Sequence, residues 1–320
     1  MKMKISFLFF AVVFLISCEE KVEEKIISEQ TAAYDLVNPF IGTGGHGHTY
    51  PGATLPFGMV QLSPDTRLEG WDGCSGYHNT DSIIYGFSHT HLSGTGVGDY
   101  GDVLLMPTSG LIQFDNGHKT GSENGYASVF SKETESASPG YYEVELDEHD
   151  IDVRLTATTS VGVHEYTFNE AGSSNIILDL VHRDQLLKDS IHFIGNDEVE
   201  GCRISSAWAS EQHVYFVAQF SKGCKSHFLD STGKRAAFIF DTKPHEKIVV
   251  RVGISATSIE GARKNLEAEA PHWDFDKYLS DAKSTWETAL RKIEIEDENK
   301  DKKSIFYTAL YHSMIAPNTF

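Results

Sequence analysis

The chain has 320 residues, of which 40% are hydrophobic and 11% aromatic, and its formal net charge is −19. This length allows one large or two ordinary domains with a sizeable core. Nucleic-acid phosphates require basic surfaces, so the acidic balance argues against a nucleic-acid partner and favours an exported protein that binds neutral ligands.

The N-terminus has the pattern of a secretory signal. Lys2 and Lys4 precede an apolar run over residues 5–16, which is too short to span a membrane. The run ends in LISC, which resembles a bacterial lipobox. We therefore predict a lipoprotein signal peptide over residues 1–18 with lipidation at Cys18; an ordinary signal peptide is the alternative.

Residues 19–33 are predicted to form a flexible acidic tether. Their first part, EEKVEEKIISEQ, is charged and poor in aromatic residues. It resembles the acidic leader that sends some lipoproteins to the outer cell surface. We expect an exported protein held at the outer membrane or cell surface, or facing the periplasm, that meets the membrane only through its lipid anchor.

Runs with alternating apolar residues dominate the next 220 residues. Glycine, asparagine, aspartate and proline separate them, which is typical of an antiparallel sandwich or barrel. We predict a mainly β protein with a large antiparallel β-sandwich over residues 34–257. The predicted strands are residues 60–62, 103–106, 141–146, 151–155, 161–168, 174–180, 204–208, 213–220, 236–240 and 247–254.

The hydrophobic period changes to that of a helix at Ser258, which is a suitable N-cap. One helix is predicted up to Ala270, before Pro271, and a second over residues 274–290 with an apolar face. Together with a polar connector they form a predicted helical linker over residues 258–300.

A third helix is predicted over residues 304–316, where the sequence is strongly apolar. Such a helix needs neighbours on several sides. We therefore expect residues 301–320 to begin a second, truncated domain. A C-terminal helix docked on the sandwich is the alternative.

The most informative segment is GWDGCSGYH at residues 70–78, inside a stretch rich in glycine and histidine. The flat face of Trp71 suits the apolar face of a sugar ring, and Asp72 can accept hydrogen bonds from paired hydroxyls. The segment therefore indicates a carbohydrate-binding site. The alternative is that Trp71 closes one end of the sandwich.

Two His-x-His pairs occur, His46 with His48 and His89 with His91. On a strand, such pairs point to one face and can supply two zinc ligands, with a carboxylate as a third. The available carboxylates are Asp72, Asp99 and Asp102. Histidines in glycine-rich loops are more commonly hydrogen-bonded, so no metal ligand is assigned. The glycine clusters at residues 42–45 and 94–98 lack the context of phosphate-binding loops.

Three cysteines follow Cys18, so at least one thiol is free. Cys74 is the expected free thiol. Cys202 and Cys224 are expected either to form a disulfide or to remain two buried thiols.

Four segments together resemble glycoside hydrolase family 92, the exo-acting α-mannosidases. They are VNPFIGTGGHGHTYPGATLPFGMVQLSPDTR, GWDGCSGYH, GFSHTHLSGTGVGDYGDVLLMP and FYTALYHSMIAPN, and they extend over residues 37–318. The resemblance implies an N-terminal β-sandwich, a helical linker and an (α/α)6 barrel, of which this chain holds only the first helix. It also implies an inverting, calcium-dependent hydrolase that removes α-linked mannose, α-1,2 linkages being expected, from glycans such as N-glycans.

The resemblance places the catalytic acid, the base and the main Ca²⁺ ligands in the part of the barrel that this chain lacks. Catalytic residues and metal ligands are therefore assigned to none of its positions, and the chain alone is expected to be inactive. The substrate-binding residues that it implies are Trp71, Asp72, Ser75, His78, His89, His91 and Ser93. A stand-alone carbohydrate-binding module that lost its catalytic barrel is the alternative function.

Overall fold

The computed structural model describes residues 31–319, and residues 32–320 form one compact unit. The predicted signal peptide, Cys18 and most of the predicted tether lie outside the described residues. Within residues 31–319, no helix is both long enough and apolar enough to cross a bilayer.

Seventeen strands make up most of the described regular structure. The first nine are β1 (Ala53–Thr54), β2 (Gln61–Asp65), β3 (Ile83–Ile84), β4 (Gly86–Ser88), β5 (Leu104–Ser109), β6 (Ser128–Val129), β7 (Ser136–Ser138), β8 (Tyr141–Leu146) and β9 (Ile151–Ala157). The other eight are β10 (Val161–Phe168), β11 (Gly172–Asp179), β12 (Gln185–Ile194), β13 (Glu198–Ser206), β14 (Gln212–Phe220), β15 (Ser226–Leu229), β16 (Arg235–Thr242) and β17 (Glu246–Ser255).

Two large antiparallel sheets contain all but two of these strands. One has seven strands in the order β1-β2-β4-β5-β11-β16-β15, and the other has eight in the order β12-β13-β14-β17-β10-β9-β8-β7. The strands β3 and β6 pair separately. Buried side chains from both large sheets, such as Phe87, Leu105, Tyr166 and Phe216, belong to one core cluster. The predicted antiparallel β-sandwich is confirmed.

The sequence prediction missed seven strands. The strands β1, β3, β4, β6 and β7 have only two or three residues each, and the other two missed strands are β12 and β15. Both lie at a sheet edge, and their side chains are mostly exposed or half-buried. Without a buried face there is no alternation of apolar and polar residues to detect.

Three helices follow the strands: α1 (Ile259–Glu269), α2 (Phe275–Leu290) and α3 (Lys300–His312). Ser258 caps α1, because its side chain accepts a 3.0 Å hydrogen bond from the Gly261 amide. Asp274 caps α2 in the same way. The predicted start of α3 at residue 304 is wrong: Asn299 caps this helix by accepting from the Lys302 amide at 3.1 Å.

A second hydrophobic cluster joins α2 and α3 to the sandwich and to a short 3-10 turn at Tyr34–Leu36. The fully buried Trp286 of α2 donates to the Thr54 carbonyl of β1 at 2.7 Å. Its ring lies 4.7 Å from that of Tyr311 in α3. The last helix therefore packs on one side only, and Ile305 on its other side is 61% exposed.

Cys74, Cys202 and Cys224 are three buried free thiols. The Cys202–Cys224 disulfide is therefore not formed in this structure, and Cys74 is free as expected.

Candidate functional site

Trp71 lies at the surface, in a 3-10 turn that spans Trp71–Gly73. Its side chain does not plug the core, since the residue is 57% exposed. The indole Nε1 donates to the Gly96 carbonyl at 3.0 Å. The rings of His46 and His48 lie 5.1 and 4.3 Å from the indole. These contacts hold the indole at its rim and leave more than half of the residue in contact with solvent.

Asp72 places a carboxylate next to this indole. Its Oδ1 lies 2.7 Å from Nδ1 of His46 and 3.4 Å from Nε2 of His48. The hydrogen bond from His46, together with that from His48, lowers the pKa of Asp72 below its ordinary value. An ionised carboxylate beside an exposed aromatic ring can accept hydrogen bonds from a polyhydroxylated ligand.

Ser75 and His78 lie beneath the Trp71 turn, and both are buried. The Ser75 hydroxyl lies 3.1 Å from two backbone carbonyls, those of Thr49 and Tyr77. Nε2 of His78 lies 3.1 Å from the Gly45 carbonyl. Their polar atoms therefore hold the glycine-rich loops together.

His89 belongs to a buried chain of hydrogen bonds between the two sheets. Its Nδ1 lies 2.6 Å from the Val103 carbonyl, and its Nε2 lies 3.0 Å from Nε2 of His164. The other nitrogen of His164 lies 2.8 Å from the Tyr166 hydroxyl. A carbonyl only accepts, so Nδ1 of His89 carries a hydrogen, His164 donates to His89, and Tyr166 donates to His164. Burial lowers the pKa of His89 to about 4 and that of His164 well below its usual range, so both rings are neutral.

His91 lies in a second buried network, around Asp65. Its Nδ1 lies 2.7 Å from the Gln61 carbonyl, and its Nε2 lies 3.2 Å from Asp65 Oδ1. Burial alone raises the pKa of Asp65, but the imidazoles of His91 and His182 outweigh burial and hold it far below the usual range. Ser93 is half-buried, in the loop between this network and Gly96.

The structure thus brings Trp71 and Asp72 together at the surface and places Ser75, His78, His89 and His91 behind them in the interior. The two His-x-His pairs lie in different surroundings, one at Asp72 and the other in the interior. Across residues 31–319, no three His, Cys, Asp or Glu side chains are grouped to hold a metal ion.

Sequence reasoning missed the segment His182–Asp184, which joins β11 to β12. The Arg183 guanidinium donates to the Gly73 carbonyl at 2.5 Å and thereby fixes the end of the Trp71 turn. The Arg183 carbonyl in turn accepts a hydrogen bond from Arg203, which forms a buried ion pair with Asp102. A charged segment directly after an apolar strand is the only sequence signal, and it does not reveal a partner 110 residues away.

A cleft of about 500 Å³ opens beside the Trp71 turn. Gly70 and Gly98 form the side of the cleft nearest to that turn, and His182–Asp184 form another part of its wall. Asp115, His118 and Lys119 come from the loop that follows β5.

Residues 36–255 match the model of the glycosyl hydrolase family 92 N-terminal domain, and residues 261–320 match the model of the family 92 catalytic domain. The chain belongs to glycosyl hydrolase family 92. The catalytic-domain match includes α2 and most of α1, the two helices of the predicted linker.

Solved structures of this family share the fold. A family 92 α-mannosidase from Bacteroides thetaiotaomicron in complex with mannoimidazole is 33% identical, with a TM-score of 0.86, and the match covers 90% of this chain and 41% of that one. A family 92 inverting mannosidase from the same organism is 26% identical, with a TM-score of 0.79, and the match covers 91% of this chain and 41% of that one.

Among curated proteins, an uncharacterized secreted glycosidase of Arthroderma benhamiae is 26% identical over 340 residues, which cover 92% of this chain and 44% of the relative. This chain therefore spans about two-fifths of the length of the relatives that it matches.

Proposed function

We propose that this chain is the N-terminal part of an inverting exo-α-mannosidase that removes α-linked mannose, α-1,2 linkages included, from glycans such as N-glycans. Family membership and the likeness to an α-mannosidase that binds mannoimidazole support this proposal. The observation that carries it is the exposed indole of Trp71 with the carboxylate of Asp72 at its side.

The two side chains provide complementary contacts for a sugar ring. The C–H groups of a pyranose form an apolar face that packs on an aromatic ring, and its hydroxyls donate to a neighbouring carboxylate. His46 and His48 hold Asp72 from the side, which keeps the carboxylate ionised and oriented. We assign this surface to the sugar on the leaving-group side of the cleaved bond.

The chemical step requires groups that we place outside this chain. Inversion needs a carboxylic acid that protonates the leaving oxygen and a carboxylate that activates water, about 6.5–9.5 Å apart. In our proposal, catalytic-domain residues beyond those matched here supply both groups. This chain supplies one wall of the pocket and is inactive alone.

A role for calcium is part of the proposal. Residues 31–319 hold no cluster of three or more His, Cys, Asp or Glu arranged around a metal. We therefore assign the calcium ligands to the catalytic domain and derive no step from the ion. Export, with a lipid anchor at Cys18, completes the proposal; the secreted relative supports export alone.

The experiment is titration of the 320-residue chain with methyl α-mannoside, followed by NMR. Trp71→Ala should weaken binding by about tenfold or more, since stacking on an aromatic ring and its apolar burial are both lost. Trp208→Ala is the matched control, because that tryptophan is 75% exposed on another loop. Equal affinity of the Trp71→Ala variant and the unmodified chain would refute the proposal. Release of mannose from α-mannobiose by this chain would refute the assignment of the acid and base.

A further inference from the structure

The cleft beside the Trp71 turn contains polar groups that the rest of the structure leaves without partners. The side chain of His182 is fully buried, yet its Nδ1 has no hydrogen-bond partner among the described residues. Its Nε2 lies 3.5 Å from Asp65 Oδ1. Buried polar atoms are nearly always paired, so this imidazole next to the cleft is unusual, but none of its side chain is accessible to a ligand.

Asp184, also in the wall, is the second such group. Its Oδ2 is buried and has no partner within residues 31–319. Its backbone is left-handed, with φ of 62°, a conformation that residues other than glycine seldom adopt and that is common at functional sites. Burial raises the pKa of this carboxyl to about 6, even with Arg183 and Arg203 nearby.

The wall of the cleft carries charges of both signs, which indicates the class of ligand. Glu69, Asp115 and Asp184 are acidic, and Lys119 and Arg183 are basic. Such a lining selects neither an anion nor a cation. Donors and acceptors mixed in a polar cleft suit a neutral ligand with many hydroxyls.

The cleft is placed to receive a longer sugar. Gly70 lines it and directly precedes Trp71. Gly98 also lines it, two residues after the Gly96 carbonyl that accepts the hydrogen bond from the indole. Its volume of about 500 Å³ is within the usual range of small-ligand sites.

We propose that this cleft is an additional sugar subsite, which binds glycan residues beyond the one on Trp71 through Asp184. This inference rests on the proposed function, since it extends the same glycan along the same face. The half-buried carboxylate of Asp184 would then accept hydrogen bonds from sugar hydroxyls.

The test compares two sugars on the 320-residue chain, methyl α-mannoside and a linear α-mannotriose. The unmodified chain should bind the trisaccharide about tenfold more tightly, the effect of one hydrogen bond to a charged group. Asp184→Asn should abolish that gain and leave affinity for methyl α-mannoside unchanged. Asparagine tolerates the left-handed conformation, so this variant should fold. Asp150→Asn is the control, because Asp150 is also left-handed but lies in the exposed turn between β8 and β9.

The outcomes separate the two proposals. Trisaccharide affinity that is unchanged in Asp184→Asn, or no preference for the trisaccharide in the unmodified chain, overturns the additional subsite. Trp71→Ala should weaken binding of both sugars. If Trp71→Ala binds both sugars normally, the proposed function fails instead. A lower melting temperature of Asp184→Asn would show a structural role and would also overturn the subsite.

Discussion

Gly96 controls how closely the Trp71 indole approaches the neighbouring loop. A Cβ at position 96 would lie 2.7 Å from the indole Nε1, closer than real Cβ contacts allow. We predict that Gly96→Ala displaces the ring, breaks its hydrogen bond to the loop and weakens methyl α-mannoside binding about fivefold. Val97→Ala, at the exposed neighbouring position, should have little effect. Titration followed by NMR measures both, and unchanged binding by Gly96→Ala would contradict the prediction.

Asp184 should reduce the stability of the fold at neutral pH. Its pKa rises from 3.8 to about 6, so the folded state holds the proton more tightly than the unfolded state does. The resulting decrease in the free energy of unfolding is absent below pH 3.8, grows as the pH rises towards 6, and is complete above pH 6. We predict that Asp184→Asn raises the free energy of unfolding by about 1 kcal/mol at pH 7.5, after allowance for its partial exposure, and leaves it unchanged at pH 3.5. Urea unfolding at the two pH values tests this, and a loss of stability at pH 7.5 would contradict it.

The sequence predicts the exposed pair Trp71 and Asp72, but it does not predict the cleft beside them. Trp71 and Asp72 are adjacent in the chain, and the flanking glycines indicate a loop, so an exposed aromatic ring beside a carboxylate could be predicted. His182 and Asp184 meet the loop at residues 115–119 and the turn at Gly70 only after three distant segments fold together. Their lack of partners is a property of that packing, which no local pattern records.

At the scale of elements, a row of hydrogen bonds from His89 through His164 to Tyr166 connects the two sheets. His89 follows β4 of one sheet, and His164 and Tyr166 belong to β10 of the other. Each group in the neutral chain donates in one direction only. A proton added to His89 would place its Nε2–H against the Nε2–H of His164 inside the core, so these hydrogen bonds require His89 to be neutral.

This requirement predicts a loss of stability in mild acid. Burial lowers the pKa of His89 from 6.5 to about 4, so the unfolded state binds more protons in that range. The free energy of unfolding should therefore fall by about 3 kcal/mol from His89 alone as the pH drops from 6.5 to 4. We expect His164→Gln, which keeps a donor towards His89 but cannot titrate, to show a shallower dependence in urea titrations across this range. An identical pH dependence in the two proteins would contradict the prediction.

Sequence periodicity predicts long strands with a buried face more accurately than edge strands or strands of two or three residues. The limits of β8 and β10 match the predicted ones, because these strands lie inside the sheet and bury alternate or nearly all side chains. The edge strand β12 buries almost nothing and was missed. The start of α3 depends on a cap formed by a polar residue, Asn299, in a segment that looked like a connector.

At the scale of the whole molecule, Trp286 joins the helices to the sandwich. Its ring is fully buried, donates to the Thr54 carbonyl of β1 and packs on Tyr311 of α3. Gly140, before β8, also approaches this indole, since a Cβ there would lie 3.2 Å from its Cδ1. Although two family models divide the chain near residue 260, its contacts do not divide residues 32–320.

We therefore predict that helices and sandwich unfold in a single transition. Far-UV circular dichroism at 222 nm and tryptophan fluorescence should give the same urea midpoint for the unmodified chain. Trp286→Ala should cost about 3–5 kcal/mol, because it leaves a large cavity and an unpaired carbonyl at the junction. In this variant the helical signal should be lost at lower urea than the β signal, whereas Trp208→Ala should keep the single transition. Separate transitions in the unmodified chain would mean that the helices are only loosely attached, and the pocket wall would then have to be completed by a domain that moves independently.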